Sequence, residues 1–384
     1  MRLRAAPVGL ALLALLVASC TEAGPAATTT TTTTTASTTT APASTTTQAP
    51  ECGLIPESAR AAARREVDEG RSVGIVIGVV SPCGREFFGY GTTEAGGGAP
   101  VDEDTVFEIG STGKAFTGVL LADMVQHGEV SLGDPIEEYL PDDVAAPTFE
   151  GHSITLEDLA THTSGLPTMP YNFAPADEFR PYVDYTVAQL GAAVSRVELT
   201  EEPGTVYEYS NLAFGLLGYL LSRHSGEDYE QLVETVIAGP LGMPDTAATL
   251  TPGMEERLAT GYRDGRRMPL WENPTLAGAG DLRSTARDMV TFLAANVGLA
   301  DTPLAPAMEA SHARRFLIGP SLSTGLGWHI RTEDGPEIVE QHGATGGYWC
   351  FAGLVEDTQT GVVVLANTFN DVDQIGLDIL RGES

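Results

Sequence analysis

Lysine is nearly missing from this chain of 384 residues: of 21 basic residues, all but Lys114 are arginine. Basic charge as a whole is scarce. Against 52 acidic residues it leaves a formal charge of −31. That balance excludes the basic footprint of a nucleic-acid binder and excludes holding an anionic bilayer by charge. Long apolar runs are also rare. After the first twenty residues no stretch is long and apolar enough to cross a bilayer. Cysteine occurs four times, as Cys20, Cys52, Cys83 and Cys350.

The N-terminus reads as targeting rather than structure. Met1-Arg2-Leu3-Arg4 is basic, Ala5 to Ala18 is apolar and short, and Ala18-Ser19 precede Cys20. This is the pattern of a secretory signal over residues 1–19. Val17-Ala18-Ser19-Cys20 resembles a bacterial lipobox, which implies that Cys20 is lipidated; an ordinary cleaved signal with a chance cysteine is the alternative. Two acyl chains suffice for stable anchoring where one is marginal. Residues 20–51 then form a Thr-rich, low-complexity linker with too little apolar surface to offset the entropy of ordering. Stretched out, some thirty residues reach roughly 100 Å, enough to hold a domain away from a membrane. An extracytoplasmic location is oxidising, so a disulfide is allowed. Cys52 and Cys83 border the first helix–strand unit and are the expected pair, with Cys350 left as a thiol; all three reduced is the alternative.

The folded domain is expected over residues 52–384. Pro56 to Glu69 reads as a helix, Ser72 to Val80 and Arg85 to Tyr90 as a hairpin, and Ser131 to about Thr275 as mostly helical. Strands return at 326–331, 337–341, 348–355 and 361–367, followed by a last helix to Arg381 capped by Asn370 or Asp371. The order describes an α+β fold: an antiparallel sheet flanked by N- and C-terminal helices, with a helical insert.

The one lysine sits three residues after a serine, in Gly110-Ser111-Thr112-Gly113-Lys114, at the head of an apolar run that Gly128 stops. A helix opening near Ser111 puts positions i and i+3 on one face. A neutral lysine amine can take the proton of a serine hydroxyl and make it a nucleophile; an arginine cannot, because it stays protonated. Burial and the helix dipole both favour the neutral amine.

Two further stretches carry chemistry. Tyr209-Ser210-Asn211 lies on a loop entering a helix; a tyrosine can exchange a proton and an asparagine can bond a substrate amide, although taken alone such a pair is more often a packing tyrosine and a capping asparagine. Gln341-His342-Gly343-Ala344-Thr345-Gly346-Gly347 lies at a strand edge, where glycine allows close backbone approach and backbone N–H groups can form an oxyanion hole; a plain glycine-rich turn is the alternative, and His342 alone reads as a loop residue.

Taken in order and spacing, Ser111-x-x-Lys114, Tyr209-x-Asn211 and the 341–347 stretch resemble the penicillin-recognising serine hydrolases, most closely the class C β-lactamase-like branch with its D-Ala-D-Ala carboxypeptidases and esterases. Residues 154–167 and 277–288 also look like that family. The resemblance implies Ser111 as acylated nucleophile, Lys114 as its proton partner and Tyr209 as general base. It further implies substrate binding by Asn211, His342, Gly343 and Ala344, an oxyanion hole from the Ser111 and Ala344 N–H groups, and no metal or cofactor. His162 reads as structural. Where the family has a cation, this chain has Gln341, with His342 beside it. A permanent partner for a substrate carboxylate is therefore missing unless an arginine supplies it, and this favours a peptidase or esterase over an efficient β-lactamase. The expected partner is a small-molecule or cell-wall peptide substrate. The competing reading is a penicillin- or muropeptide-binding sensor with little turnover.

Overall fold

A computed structural model describes residues 53–333 and 335–383. The leader, Cys20, the linker and Cys52 lie outside the described residues.

In chain order the strands are β1 (Gly74–Ser81), β2 (Gly84–Gly91), β3 (Val106–Glu108), β4 (Thr148–Phe149), β5 (His152–Ser153), β6 (Gly261–Arg263), β7 (Arg266–Met268), β8 (Arg283–Thr285), β9 (Phe316–Gly319), β10 (Leu322–Thr324), β11 (His329–Arg331), β12 (Ile338–Ala344), β13 (Trp349–Val355) and β14 (Thr360–Ala366). Eight of them form one antiparallel sheet in the order β2-β1-β14-β13-β12-β11-β10-β9. The N-terminal hairpin joins the C-terminal strands through β1 and β14, with Ile77 opposite Val364.

Both faces of this sheet are covered. Ile75, Ile77, Val79, Phe351, Val362 and Val364 pack under the terminal helices Glu57–Asp68 and Asp373–Arg381. On the other face Val76, Val80, Val363 and Leu365 meet Met289, Val290 and Leu293 of the helix Ala286–Asn296, in one core with Phe116, Val119 and Leu120 of the helix Gly113–Gln126. Burial on both faces is why β1 reads as a continuous apolar run and not as an alternating one. The expected α+β architecture is therefore the one observed.

The details differ in places. Leu326 to Trp328 is a loop rather than the start of a strand, because Gly327 (φ +77°) packs its backbone against Lys114 O. The supposedly helical middle contains the β6–β7 hairpin, and β8 pairs with β3. The last helix starts at Asp373 without a capping hydrogen bond from its N-cap residue, though Asp371 accepts from the Asp373 N–H at 2.9 Å. Cys83 is in a disulfide and Cys350 is a buried free thiol; the proposed partner Cys52 is outside the described residues. Among the described residues no helix is long and apolar enough to cross a membrane.

Candidate active site

The helix Gly113–Gln126 is apolar all round, so it is buried rather than amphipathic. A single turn of 3₁₀ helix, Gly110–Thr112, precedes it and carries Ser111 at its mouth. Gly110 takes φ +51°, a left-handed turn that glycine adopts without strain. Lys114 lies one turn further in and is fully buried.

Three oxygens surround the lysine nitrogen. Its Nζ is 2.9 Å from Ser111 Oγ, 2.8 Å from Asn211 Oδ1 and 2.6 Å from Ala279 O. Two of these, the amide and peptide carbonyls, can only accept. They claim two N–H groups, and the third tetrahedral position of Nζ faces the serine. With a neutral amine that position is a lone pair aimed at the Ser111 hydroxyl. Burial of Lys114 holds its pKa well below the usual lysine value, in the direction of the neutral form. Its Nζ also stands 5.0 Å from the centroid of the Tyr209 ring and 5.7 Å from that of Phe214.

Tyr209 closes the triangle, donating from its hydroxyl to Ser111 Oγ at 2.8 Å. Burial pushes its pKa up to about 12, so the phenol is neutral at neutral pH. Its position is set by the loop 207–210. Ser210 is the N-cap of the helix Asn211–Ser225, its Oγ accepting from the Ala213 N–H at 2.9 Å. Asn211 is thus the first helical residue and not the cap, which leaves its carboxamide free to reach Lys114. The Ser210 N–H donates to His162 Nδ1 at 3.0 Å, and the His162 ring lies 4.4 Å from that of Tyr209. His162 is structural in the sense expected, and what it supports is the tyrosine.

Strand β12 borders the site. Gly343 fits where no other residue does: a Cβ there would stand 1.9 Å from Ile109 O and 2.8 Å from Ser111 N. A Cβ on Gly110 would meet the Ala344 nitrogen at 2.9 Å. Ser111 and Ala344 therefore present neighbouring backbone. The pleat sends Gln341 to the same face as Gly343, where it is buried and donates to Gly327 O at 3.0 Å. His342 projects from the opposite face, half exposed, with Nδ1 3.5 Å from Asp373 Oδ2. The structure thus brings Ser111, Lys114, Tyr209, Asn211, Gly343 and Ala344 together, and places the His342 side chain outside that cluster.

Two contributors carry no obvious mark in the sequence. One is the Ala279 carbonyl described above. The other is Glu108, buried beneath the serine turn. It accepts from the Trp271 N–H and the Thr345 hydroxyl, both at 2.6 Å, and lies 3.5 Å from Arg283, which in turn lies 3.3 Å from Asp281. Burial raises Glu108 to about 7 and Asp281 to about 6, against the opposing pull of Arg283. An ionisable residue between Phe107 and Ile109, in an apolar strand, is the signal that would have found it. Among the described residues no cluster of His, Cys, Asp or Glu is arranged to hold a metal.

The family model described as "Beta-lactamase" matches residues 59–383. The D-alanyl-D-alanine-carboxypeptidase/endopeptidase AmpH of Escherichia coli (strain K12) is 32% identical over 311 residues, covering 77% of this chain and 79% of the relative. A β-lactamase of the same organism is 27% identical over 338 residues, covering 78% and 85%. Among solved structures, a class C β-lactamase from Rhodobacter sphaeroides superposes with a TM-score of 0.73 at 25% identity, over 84% of this chain and 98% of that one. A β-lactamase/D-alanine carboxypeptidase from Pseudomonas syringae gives 0.74 at 23% identity, over 85% and 98%, a likeness of fold.

Proposed function

Given that this chain belongs to the beta-lactamase family of serine hydrolases, we propose that it cleaves an amide or ester through an acyl-Ser111 intermediate, with a D-Ala-type peptide or a small ester as substrate, on the outer side of the cytoplasmic membrane. The observation that carries the mechanism is the geometry at Lys114 Nζ: two acceptor-only oxygens and one serine hydroxyl. It supports a neutral lysine as the resting base and a neutral tyrosine as the resting acid.

The cycle then balances without a third group. As Ser111 Oγ attacks the carbonyl carbon, its proton passes to Lys114. The Ser111 and Ala344 N–H groups receive the developing oxyanion. Tyr209 gives its proton to the departing group and is left as phenolate, close to the new ammonium. Water then attacks the acyl ester and loses its proton to that phenolate. Collapse returns Oγ with the proton held by Lys114, and both residues are neutral again. Tyr209 is in this scheme the acid of acylation and the base of deacylation, which departs from the role of acylation base that the resemblance implies. A phenol with a pKa of about 12 is too rarely ionised to begin as base. Asn211, its oxygen engaged by Lys114, retains its NH₂ for a substrate carbonyl.

The carboxypeptidase/endopeptidase name of the AmpH relative and the neutral Gln341 in place of a fixed cation both favour peptides and esters over β-lactams. A panel of D-Ala-D-Ala peptide, short 4-nitrophenyl esters and a chromogenic cephalosporin tests this. Turnover of peptide or ester that disappears in Ser111→Ala supports the reading. Cephalosporin turnover exceeding both would overturn the preference, and activity surviving in Ser111→Ala would overturn the mechanism.

A further inference from the structure

His162 carries two local costs that packing alone does not demand. Its backbone takes φ +59°, a left-handed conformation uncommon outside glycine, and its Nε2 is buried with no hydrogen-bond partner among the described residues. The flanking residues hold it there. The hydroxyl oxygens of Thr161 and Thr163 lie 2.8 Å apart, the Thr161 hydroxyl donates to Glu157 O at 2.8 Å, and the Thr163 N–H donates to Asp158 O at 2.9 Å. Strain of this kind persists only where the surroundings over-determine it, and it clusters at functional sites.

The turn is aimed at Tyr209. The Glu208 N–H donates to His162 O at 2.8 Å and the Ser210 N–H to His162 Nδ1 at 3.0 Å, so the N–H groups on either side of the tyrosine end on one residue. The imidazole lies 4.4 Å from the Tyr209 ring and 4.7 Å from the Phe214 ring, and those are the rings that stand 5.0 and 5.7 Å from Lys114 Nζ. A ring nitrogen that accepts carries no proton, so His162 is the neutral Nε2–H tautomer. Burial first, and then the fields of Lys114 and His329, hold its pKa well below the usual histidine value, which agrees. A protonated ring would set an Nδ1–H against the Ser210 N–H. Neither ring nitrogen bonds Ser111 or Lys114 among the described residues, so an effect on the reaction must pass through Tyr209.

We propose that His162 is the positioning residue for Tyr209, acting through Nδ1 as acceptor of the Ser210 N–H, and that for substrates with a good leaving group the step it governs is deacylation. This deepens the serine-hydrolase reading above, on which it rests. In that cycle Tyr209 first protonates the departing group and then takes a proton from water. A leaving group such as 4-nitrophenolate departs without an acid, whereas the water still needs its base. Loosening Tyr209 therefore slows the second step more than the first.

Two variants and one spectrum test it, with 4-nitrophenyl acetate as substrate. His162→Phe keeps a ring and removes the acceptor. His162→Asn places its Oδ1 where Nδ1 stood, and asparagine tolerates a positive φ. In His162→Phe a burst of nitrophenolate should precede a steady state in which kcat is about ten- to a hundredfold below native, the scale of a misplaced catalytic group. KM should fall in parallel, leaving kcat/KM within about threefold, while acyl-Ser111 accumulates by intact mass. His162→Asn should recover most of kcat. A merely weakened fold would instead lower the burst and kcat/KM together. In the native chain, long-range 1H–15N spectra at pH 7 should show the Nε2–H tautomer for the histidine whose signal disappears in His162→Asn, and this reads the claim even where His162→Phe does not fold. A kcat in His162→Phe within about twofold of native, a parallel loss of kcat and kcat/KM with no adduct, a His162→Asn as slow as His162→Phe, or an Nδ1–H tautomer overturns the assignment. Turnover lost in Ser111→Ala would stand for the hydrolase in each of those cases, so the two readings fail separately.

Discussion

A lysine sealed from water is a costly residue to keep, and Lys114 is kept where its charge state decides the chemistry. In the unfolded chain its amine is protonated below about 10.5; in the folded chain burial lowers that value. Its contribution to stability is thus fully present above the unfolded value and is lost as pH falls through the folded one. Lys114→Met removes this burden, and we expect it to raise the melting temperature at pH 7 by roughly a few degrees while abolishing turnover. A melting temperature that falls instead would mean the lysine is charged and well paired. For the native enzyme the same shift places the acid limb of kcat/KM at the titration of Lys114, with activity lost as pH falls through it. Much of this was legible in advance, because a serine and a lysine three apart must share a helix face and only lysine can give up its proton. Ala279 was not legible: a backbone carbonyl has no side-chain signature. His342 was read as a substrate-binding residue, and the pleat of β12 turns its side chain to the face opposite Gly343; Gln341 shares the Gly343 face but is engaged by Gly327 O.

Among elements, the site depends on four segments that are far apart in the chain. The turn after β3 carries Ser111, residues 209–211 supply Tyr209 and Asn211, β12 carries Ala344, and the stretch 271–283 supplies Ala279. Glu108 and Arg283 tie the serine turn, the end of β12 and the 271–283 stretch together. Glu108 is raised to about 7 from an unfolded value of 4.5, so its contribution to stability is full below 4.5 and is lost as pH rises through 7. Glu108→Gln should flatten the melting temperature between pH 5 and 7; a slope equal to that of the native protein would place the effect elsewhere, with Asp281, Asp288 and Asp373, each raised to about 6, as the remaining sources. Gly343→Ala drives a methyl into Ile109 O and pushes β12 off the serine turn. It should lower kcat by about two orders of magnitude, the scale of one lost oxyanion donor, with the protein still folded by circular dichroism. A kcat within threefold of native would show that β12 does not border the reacting carbonyl. The long strands and helices were readable from apolar runs and glycine stops. Short strands such as β7, Arg266-Arg267-Met268, were not, because their pairing partner and not their composition makes them strands.

For the whole molecule, the antiparallel sheet joins the two ends of the folded domain, and the helical insert closes over one side of it. The leader and linker are expectations from sequence alone. If Cys20 carries a lipid, Cys20→Ser should release active protein into the medium, measured by ester turnover in culture supernatant; activity that stays with the membrane fraction counts against the anchor. Whatever holds the domain in place, its chemistry rests on one hydroxyl primed by one uncharged amine. Intact-mass spectrometry of the protein, quenched in acid at intervals after mixing with a slowly hydrolysed acyl donor, measures that most directly. A single adduct, mapped to Ser111, should form and decay in the native chain, form far more slowly in Lys114→Arg, and be absent in Ser111→Ala. An adduct on another residue, or one that forms at the native rate in Lys114→Arg, would contradict it.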